Sequence, residues 1–416
     1  MRKFLILGLN FYPEPTGIGK YTGDLAIFLS DKGYKVRVIT TPPYYPHWQI
    51  QTGYKAWQYR RESWQGIEIV RCPLWVPHQL SGFMRLAHLA SFAFSSVPAL
   101  VSQLTWRPDM VLCIAPSILN APFALAFAYL SSAKAWLHIQ DFELDAALNL
   151  GLFPGGMSLA RLAFWVERIL LNSFDHLSTI SDRMLVRLNE KDSSQDRNSL
   201  FPNWVDTSQI FPLEEDNSNQ LRVNLNLSPE QIVVLYAGTM GKKQGLEHLL
   251  SAADRLQDYP DIQFILCGDG VVRSEIEIAA GRMPNLRFLP VQPPDQLNNL
   301  LNLADIHVLP QRSDAADLVM PSKLTGMLAS GKPVIATAYP DTELGQVVSK
   351  VGIIVPPEDD SALAVAILAL RDDPVRREHL GYKGRKYACL YFEKKVILTD
   401  FVSTVEALFE SENHDV

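Results

Sequence analysis

A glycine-bearing loop after an apolar run is the first feature of this sequence that could do chemistry. Residues 4–9 are apolar, and the loop that follows them carries Gly17 and Gly19 just before a helical pattern. Glycine lets backbone N–H groups approach a phosphate closely, and a helix N-terminus adds partial positive charge. The spacing is neither G-x-G-x-x-G nor a Walker A loop. The loop therefore predicts either a phosphate or sugar contact or an ordinary strand-to-helix turn.

A second glycine-rich loop, residues 236–245, also follows an apolar run and precedes a helical pattern. It contains Gly238 and the adjacent Lys242 and Lys243. Two lysines in such a loop can neutralise a diphosphate, although a solvated charge pair has the same sequence.

Two further segments of the second half follow the same logic. The triplet Gly268, Asp269 and Gly270 ends the next apolar run and fits a tight backbone–ligand turn. Pro321, Ser322 and Lys323 begin a helical pattern whose N–H groups could hold a phosphate.

A histidine and several carboxylates stand at the end of a predicted strand in the first half. His138 and Asp141 lie within residues 138–145, together with Glu143 and Asp145. Ligands of open α/β sheets bind at the carboxyl ends of strands, so this cluster is a candidate catalytic site. The alternative is a buried histidine beside solvated acids. The chain has no D-x-D triplet, which disfavours a divalent metal that coordinates substrate phosphates through paired carboxylates.

Aromatic residues crowd a proline-rich segment from residue 42 to residue 64. So many aromatic residues predict a sugar-stacking or an interdomain surface, and Tyr44, Tyr45 and Trp48 are the candidates for contact with an acceptor sugar. Core packing of a long loop is the competing interpretation.

Short apolar runs alternate with helical patterns, and this βαβ rhythm predicts parallel sheets covered by helices on both faces. The rhythm restarts near residue 232 after a polar segment at 214–226, so the sequence predicts two Rossmann-like halves. We expect domains at 1–205 and 206–385, followed by a helical segment at 386–416. Predicted strands are 4–9, 36–40, 110–114, 135–139, 232–237, 263–267, 306–309, 334–336 and 353–355, and predicted helices are 21–32, 246–256, 323–329 and 376–409.

Composition excludes several classes of protein. The 416 residues are 47% hydrophobic and 20% charged, which argues against a largely disordered chain. A pI near 5.8 argues against a nucleic-acid coat protein. Four distant cysteines without a C-x-x-C predict a reducing compartment. Residues 4–9 are too short for a secretory signal, and the apolar stretches near 83–101 and 121–137 are interrupted by charged residues or proline, so no bilayer span is predicted.

These residues together resemble glycosyltransferase family 4, the retaining nucleotide-sugar transferases of the GT-B fold, over nearly the whole chain. Within that family the sequence is most similar to exopolysaccharide transferases of the colanic-acid type. The segments that carry the resemblance are 13–23, 42–46, 137–141, Asn203 with Asp206, 243–247, 321–323 and 331–335.

The resemblance implies roles for the matching positions. Gly17 and Gly19 would lie near the sugar and diphosphate, and His138 or Asp141 would contact the transferred sugar. Lys243, with Lys242, would hold the leaving diphosphate. Gly238 would lie in the donor site, the triplet 268–270 by the nucleotide base, and residues 321–323 along the donor site.

The sequence departs from the family pattern at several positions. Thr239 and Gln244 stand where an Arg and a Lys are typical, and Trp204 replaces a glycine. The Glu-x7-Glu motif, whose second Glu normally binds the ribose, is degraded. Its first position falls near Asp317 or Leu318 and its second near Thr325 and Gly326.

The implied fold is two Rossmann-like domains facing each other across a cleft, with a C-terminal helix that packs back toward the N-domain. The implied function is retaining, metal-independent transfer from a nucleotide-diphosphate sugar to a lipid-linked oligosaccharide, without a cofactor. Such an enzyme would work in the cytoplasm or at the inner membrane face. Residues 1–210 carry 19 basic and 16 acidic side chains, and the remainder carries 19 and 29. This balance is compatible with a peripheral membrane contact by the first half around 83–101, although a buried helix of the N-domain with unrelated surface arginines is the competing interpretation. The alternatives are a catalytically silent nucleotide-sugar-binding protein and a GT-B epimerase.

Overall fold

The chain forms two compact α/β units. The computed structural model describes residues 1–77, 82–116, 118–145, 156–192, 194–213, 219–313 and 320–410. The first unit comprises residues 1–202 together with the described residues from Asp400 onward, and the second comprises Asn203–Thr399. The positions near 317 and 318 lie outside the described residues.

The first unit is built on an eight-stranded sheet in the order β3-β4-β2-β1-β5-β6-β7-β8. The pairs are parallel except for β3 with β4, which form an antiparallel hairpin at one edge. The central strands β1 and β5 are almost entirely buried, as expected for a parallel sheet covered on both faces. The strands are β1 (Lys3–Gly8), β2 (Lys35–Thr40), β3 (Arg60–Trp64), β4 (Ile67–Arg71), β5 (Met110–Ala115), β6 (Lys134–Ile139), β7 (His176–Thr179) and β8 (Asn198–Leu200).

Helices connect the strands of this sheet, except from β2 through β4. In chain order they are α1 (Ile18–Asp31), α2 (Gly82–Val101), α3 (Ala121–Ser131), α4 (Gly156–Asn172) and α5 (Asp182–Lys191). Within the described ranges, α2 is the one helix whose length and apolar composition would suit a bilayer span, a possibility that the sequence analysis did not predict. Seven of its side chains are buried, including His88 and Phe92, as they would be in a core helix.

The second unit has a six-stranded, wholly parallel sheet in the order β11-β10-β9-β12-β13-β14. Relative to β9 this is the 3-2-1-4-5-6 order of a doubly wound fold. The strands are β9 (Ile232–Ala237), β10 (Ile262–Cys267), β11 (Leu286–Leu289), β12 (Ile306–Leu309), β13 (Val334–Thr337) and β14 (Ile353–Val355). The helices are α6 (Gln220–Asn224), α7 (Leu246–Arg255), α8 (Arg273–Ala280), α9 (Leu297–Leu303), α10 (Lys323–Ala329), α11 (Glu343–Val351), α12 (Asp360–Arg371) and α13 (Pro374–Tyr391).

The C-terminal helical pattern is two helices rather than one. A break at Phe392 and Glu393 separates α13 from α14 (Lys394–Glu410), which begins in the second unit. From Asp400 onward α14 belongs to the first unit, where Phe401 packs against Trp136 and Phe201 with ring centroids 4.6 and 4.7 Å away. The expected packing of the C-terminal helix toward the N-domain is confirmed.

Candidate active site

Two glycine loops of the second unit meet backbone to backbone at the carboxyl ends of β9 and β10. Gly238 N donates to the Cys267 carbonyl at 2.9 Å, and Met240 N donates to the Asp269 carbonyl at 2.8 Å. A Cβ at Gly268 would lie 1.9 Å from the Gly238 oxygen. Because any larger residue would force the loops apart, Gly268 is needed for this close approach.

Lys323 places a cation beside the same loops. Its Nζ donates to Tyr236 Oη at 2.9 Å and lies 4.5 Å from the centroid of that ring. A Cβ built on Gly238 would be 3.0 Å from this ammonium. Burial lowers the pKa of Lys323 to about 8. Among the described residues no carboxylate pairs with this lysine, so the arrangement suits an incoming anion.

Lys242 and Lys243 are exposed in a single 3₁₀ turn that ends at Gln244. Gln244 Oε1 accepts from Gly241 N at 3.0 Å, so this residue shapes the loop that the two lysines occupy. The Lys243 carbonyl accepts from Arg312 N at 3.1 Å. Arg312 thereby brings a further guanidinium to the loop, where it also pairs with Glu247. The sequence analysis missed Arg312, although it follows the end of β12, the strand next to β9.

Pro321 and Ser322 precede α10, which begins at Lys323 and is only seven residues long. Its short dipole leaves the charge of Lys323 as the main attraction for an anion. Thr325, near the second position of the degraded Glu motif, donates to the Ser322 carbonyl at 2.9 Å. A Cβ at Gly326 would lie 3.3 Å from Leu301, so a longer side chain there would crowd α9.

In the first unit, Glu14 holds two candidate loops together. Its Oε1 accepts from the backbone N of Tyr44 and of Tyr45, both at 3.0 Å, and its Oε2 accepts from Asn10 Nδ2 at 2.9 Å. A Cβ at Gly19 would lie 2.7 Å from Glu14 Oε2, so glycine is required for helix α1 to pack on this carboxylate. Burial raises the pKa of Glu14, and the hydrogen bonds and Arg71 oppose that rise.

The aromatic candidates differ in their exposure. Tyr44 is buried, and its hydroxyl contacts His88 Nε2 at 3.2 Å, so its ring packs in the core. Tyr45 is half-buried with its ring against Gly17, where a Cβ would lie 3.4 Å away, and Trp48 is half-buried against Tyr44. Within this trio, Tyr45 and Trp48 are the side chains that retain surface for a ligand.

His138 is buried in β6 and engaged on both ring nitrogens. Nδ1 lies 2.9 Å from Ser178 Oγ, and Nε2 lies 3.1 Å from Gln140 Nε2. Burial lowers the pKa of His138 to about 3, so the ring is neutral at physiological pH. Its position therefore resembles that of a satisfied core histidine, the alternative already open from the sequence.

Asp141 and Glu143 line a small cavity at the carboxyl ends of β5 and β6. Glu143 Oε2 accepts from Ile118 N at 2.9 Å, whereas Oε1 is buried without a hydrogen-bond partner among the described residues. Burial raises the pKa of Glu143 to about 7, and the nearby Asp141 and Glu167 add to the rise while Arg85 opposes it. Sequence reasoning recognised Glu143 only as one acid of a cluster, because burial is what distinguishes it.

The third acid of that cluster has a structural role. Asp145 is buried and forms ion pairs with Lys191 and with Arg187, and Lys191 Nζ also lies 2.6 Å from Glu167 Oε2. Replacing one member would leave a buried charge unpaired.

Comparison with known proteins shows the family to which the chain belongs. The family described as "Glycosyl transferase 4-like domain" matches residues 16–204, and "Glycosyl transferases group 1" matches residues 217–387. A putative colanic acid biosynthesis glycosyl transferase, WcaI of Escherichia coli K12, is 40% identical over 410 residues, which cover 97% of this chain and 99% of WcaI. The chain is a GT-B glycosyltransferase of family 4.

Solved structures agree with this assignment of the fold. The glycosyltransferase superposes on sucrose-phosphate synthase from Thermosynechococcus elongatus with a TM-score of 0.76 at 17% identity, covering 99% of this chain and 100% of the other. It superposes on Anabaena HepE in complex with UDP-glucose with a TM-score of 0.69 at 15% identity, covering 98% and 100%. The expected fold class and enzyme class, a glycosyltransferase of EC class 2.4, are confirmed.

Proposed function

We propose that this glycosyltransferase moves a sugar from a nucleotide-diphosphate sugar to a lipid-linked oligosaccharide in exopolysaccharide synthesis, with retention of configuration and without a metal. The similarity to WcaI over almost the whole length of both chains supports the biosynthetic context. The enzyme would work in the cytoplasm, at the inner face of the membrane where a lipid-linked acceptor is presented.

The observation that carries the donor proposal is the position of Lys323. Bringing an ammonium into a poorly solvated position costs free energy unless an opposite charge meets it. Lys323, the first residue of α10, lies beside Gly238, where the two glycine loops pack backbone to backbone. A nucleotide diphosphate supplies the missing negative charge. Lys242, Lys243 and Gly270 would complete the surroundings of the phosphates, with Asp269 toward the nucleoside.

The proposed chemistry follows from where charge develops. Glycosyl transfer passes through an oxocarbenium-like transition state while negative charge grows on the leaving diphosphate. Positive charges fixed near that diphosphate stabilise the transition state more than the ground state. Lys323 and Lys243 would supply this charge in place of a divalent cation.

The acceptor hydroxyl must lose a proton as the new glycosidic bond forms. We assign this proton to a phosphate oxygen of the leaving diphosphate in a front-face substitution, in which the sugar–phosphate bond breaks on the side where the acceptor attaches. Asp141 and Tyr45, both partly exposed, would orient the sugars.

Thermal unfolding with UDP, GDP, ADP and TDP, each with and without Mg²⁺, tests the donor proposal. A nucleotide at 100 times its Kd adds about 2.7 kcal/mol to the folded state. We expect one nucleotide to stabilise the protein selectively and equally with EDTA. Stabilisation that requires Mg²⁺ would refute the metal-free arrangement, and no response to any nucleotide would refute the donor site.

The matching nucleotide sugar then tests transfer itself. Retention predicts that the product keeps the anomeric configuration of the donor, which proton NMR of the product reads directly. An inverted product would contradict the front-face mechanism while leaving the donor site intact.

A further inference from the structure

Helix α4 carries an exposed apolar stripe. Leu162, Trp165, Val166 and Ile169 are 53%, 59%, 42% and 45% exposed, respectively. Their spacing is i, i+3, i+4 and i+7, which places them within about 100° of one another around the helix. An amphipathic helix ordinarily turns such a stripe toward the core, but here the stripe faces outward.

The opposite side of α4 fixes this orientation. Ala160, Glu167 and Leu171 are buried, and Glu167 Oε2 lies 2.6 Å from the ammonium of Lys191 on α5. Turning the stripe inward would expose Ala160 and Leu171 and break the buried ion pair between Glu167 and Lys191, which is strongly destabilising. The apolar face is therefore held outward by the fold of the first unit.

The charges on α4 indicate what would cover the stripe. Between residues 160 and 172 the exposed charged side chains are Arg161 and Arg168, and the one acid, Glu167, is buried and paired. Both arginines lie on one flank of the stripe, about 40–60° from Trp165 on a regular helix. An apolar face with tryptophan and a cationic flank complements an anionic lipid surface.

Helix α2, where the sequence analysis placed a membrane contact, is less suitable. Its exposed Phe83, Leu86, Phe94 and Val101 share one face, but about two turns of helix separate Leu86 from Phe94 and Phe94 from Val101. The stripe on α4 repeats on successive turns, so it offers one continuous patch to a flat surface.

We propose that α4 is the membrane-docking helix of this glycosyltransferase: its stripe of Leu162, Trp165, Val166 and Ile169 inserts into the interface of an anionic bilayer. Arg161 and Arg168 pair with lipid headgroups. The proposal deepens and rests on the proposed function, since a lipid-linked acceptor is met at this surface. A second copy of the chain on the stripe is the competing occupant.

Flotation of the full chain with vesicles tests the proposal. The probes are phosphatidylglycerol–phosphatidylethanolamine vesicles and phosphatidylcholine vesicles, at low and high salt. We expect binding to the anionic vesicles, and at least about a tenfold lower partition coefficient for a variant with Leu162→Ser and Trp165→Ser. The matched control, with Phe83→Ser and Leu86→Ser on α2, should bind as the wild type does. Arg161→Gln with Arg168→Gln should remove most of the preference for anionic lipid.

A second measurement does not depend on destabilising substitutions. Trp165→Phe keeps an aromatic ring, and brominated phospholipids quench tryptophans that enter the bilayer. Although the chain has eight tryptophans, the wild type should lose a larger fraction of its fluorescence than the Trp165→Phe variant.

Several outcomes would overturn the proposal. They are failure of the wild type to float, equal quenching of wild type and Trp165→Phe, and loss of binding in the α2 variant instead of the α4 variant. A wild-type dimer in sedimentation velocity that the α4 double variant dissociates would assign the stripe to a second copy.

Nucleotide stabilisation of the double variant is measured in parallel. If it persists while flotation is lost, the donor site and the docking helix are separate; if the wild type floats but no nucleotide stabilises it, only the donor proposal fails.

Discussion

Lys323→Met should change stability and nucleotide binding in opposite directions. The lowered pKa of Lys323 means that the folded protein destabilises the charged form. A fall from 10.5 to about 8 corresponds to about 3 kcal/mol at ~1.4 kcal/mol per pH unit. The free energy of unfolding therefore decreases as the pH falls from 10.5 to about 8, and at pH 7 the folded protein bears the full cost of the charged lysine. Methionine has a similar length without the charge.

We therefore expect the Lys323→Met protein without ligand to be more stable than the wild type at pH 7. The gain should be about 1–3 kcal/mol, up to the full cost of the buried charge. Tyr236 Oη remains satisfied because it donates to the Thr239 carbonyl at 2.5 Å. The same variant should bind its nucleotide about 10- to 100-fold more weakly, because one charge-assisted contact is worth about 1.5–3 kcal/mol. Wild-type affinity should also fall above pH 8, and that fall should vanish in the variant.

Unfolding curves with and without nucleotide, recorded from pH 6.5 to 9.5, measure both effects. Lys350→Met is the matched control, because Lys350 is exposed in α11 of the same unit and should change neither quantity. A Lys323→Met protein that is less stable without ligand and still stabilised by nucleotide would refute the reasoning.

Three other substitutions test other parts of the site. Glu143→Gln should remove a pH dependence of stability. Because the pKa of Glu143 is raised, the free energy of unfolding of the wild type falls as the pH rises from about 4.5 to 7, and the variant gains up to about 3 kcal/mol on the wild type over that interval. A difference in urea unfolding that stays constant with pH would contradict this. Glu14→Ala should speed hydrogen exchange at Tyr44 and Tyr45, whose N–H groups lose their acceptor; unchanged protection there would show that the carboxylate does not hold the loop. Lys243→Ala should lower kcat by about 100-fold or more once the donor is known, and near-normal turnover would remove Lys243 from the catalytic set.

The sequence predicted nine of the fourteen strands that the structure describes, because those nine are short and mostly apolar runs. The predicted 232–237, 306–309 and 353–355 coincide with β9, β12 and β14, and the helix 323–329 coincides with α10. The strands β7, β8 and β11 were not predicted, and the hairpin of β3 and β4 was missed as well. Its first strand, Arg60–Trp64, is largely polar, and it is defined by its partner and by Trp64 stacking on Tyr12 at 3.9 Å, neither of which is a local signal.

Site residues were harder to predict because burial decides their chemistry. Tyr44 and Tyr45 are adjacent and identical in type, yet one packs in the core and the other keeps an exposed edge. Likewise Lys243 and Lys323 both lie in segments with ligand-binding patterns, but Lys243 is exposed in its 3₁₀ turn, whereas burial lowers the pKa of Lys323 at the start of α10. These differences arise from contacts between segments far apart in the chain, such as Tyr44 with His88 and Lys323 with Tyr236.

The state of His138 bears on how the acceptor is deprotonated. A general base works best when its pKa lies near the working pH, and a ring with a pKa of about 3 holds a proton too weakly to serve. Its Nε2 is also turned toward Gln140, and Nδ1 toward Ser178. A diphosphate oxygen that gains charge as the sugar departs becomes more basic at the moment the acceptor proton must leave. The burial of His138 therefore favours proton transfer to the donor itself, as the front-face proposal requires.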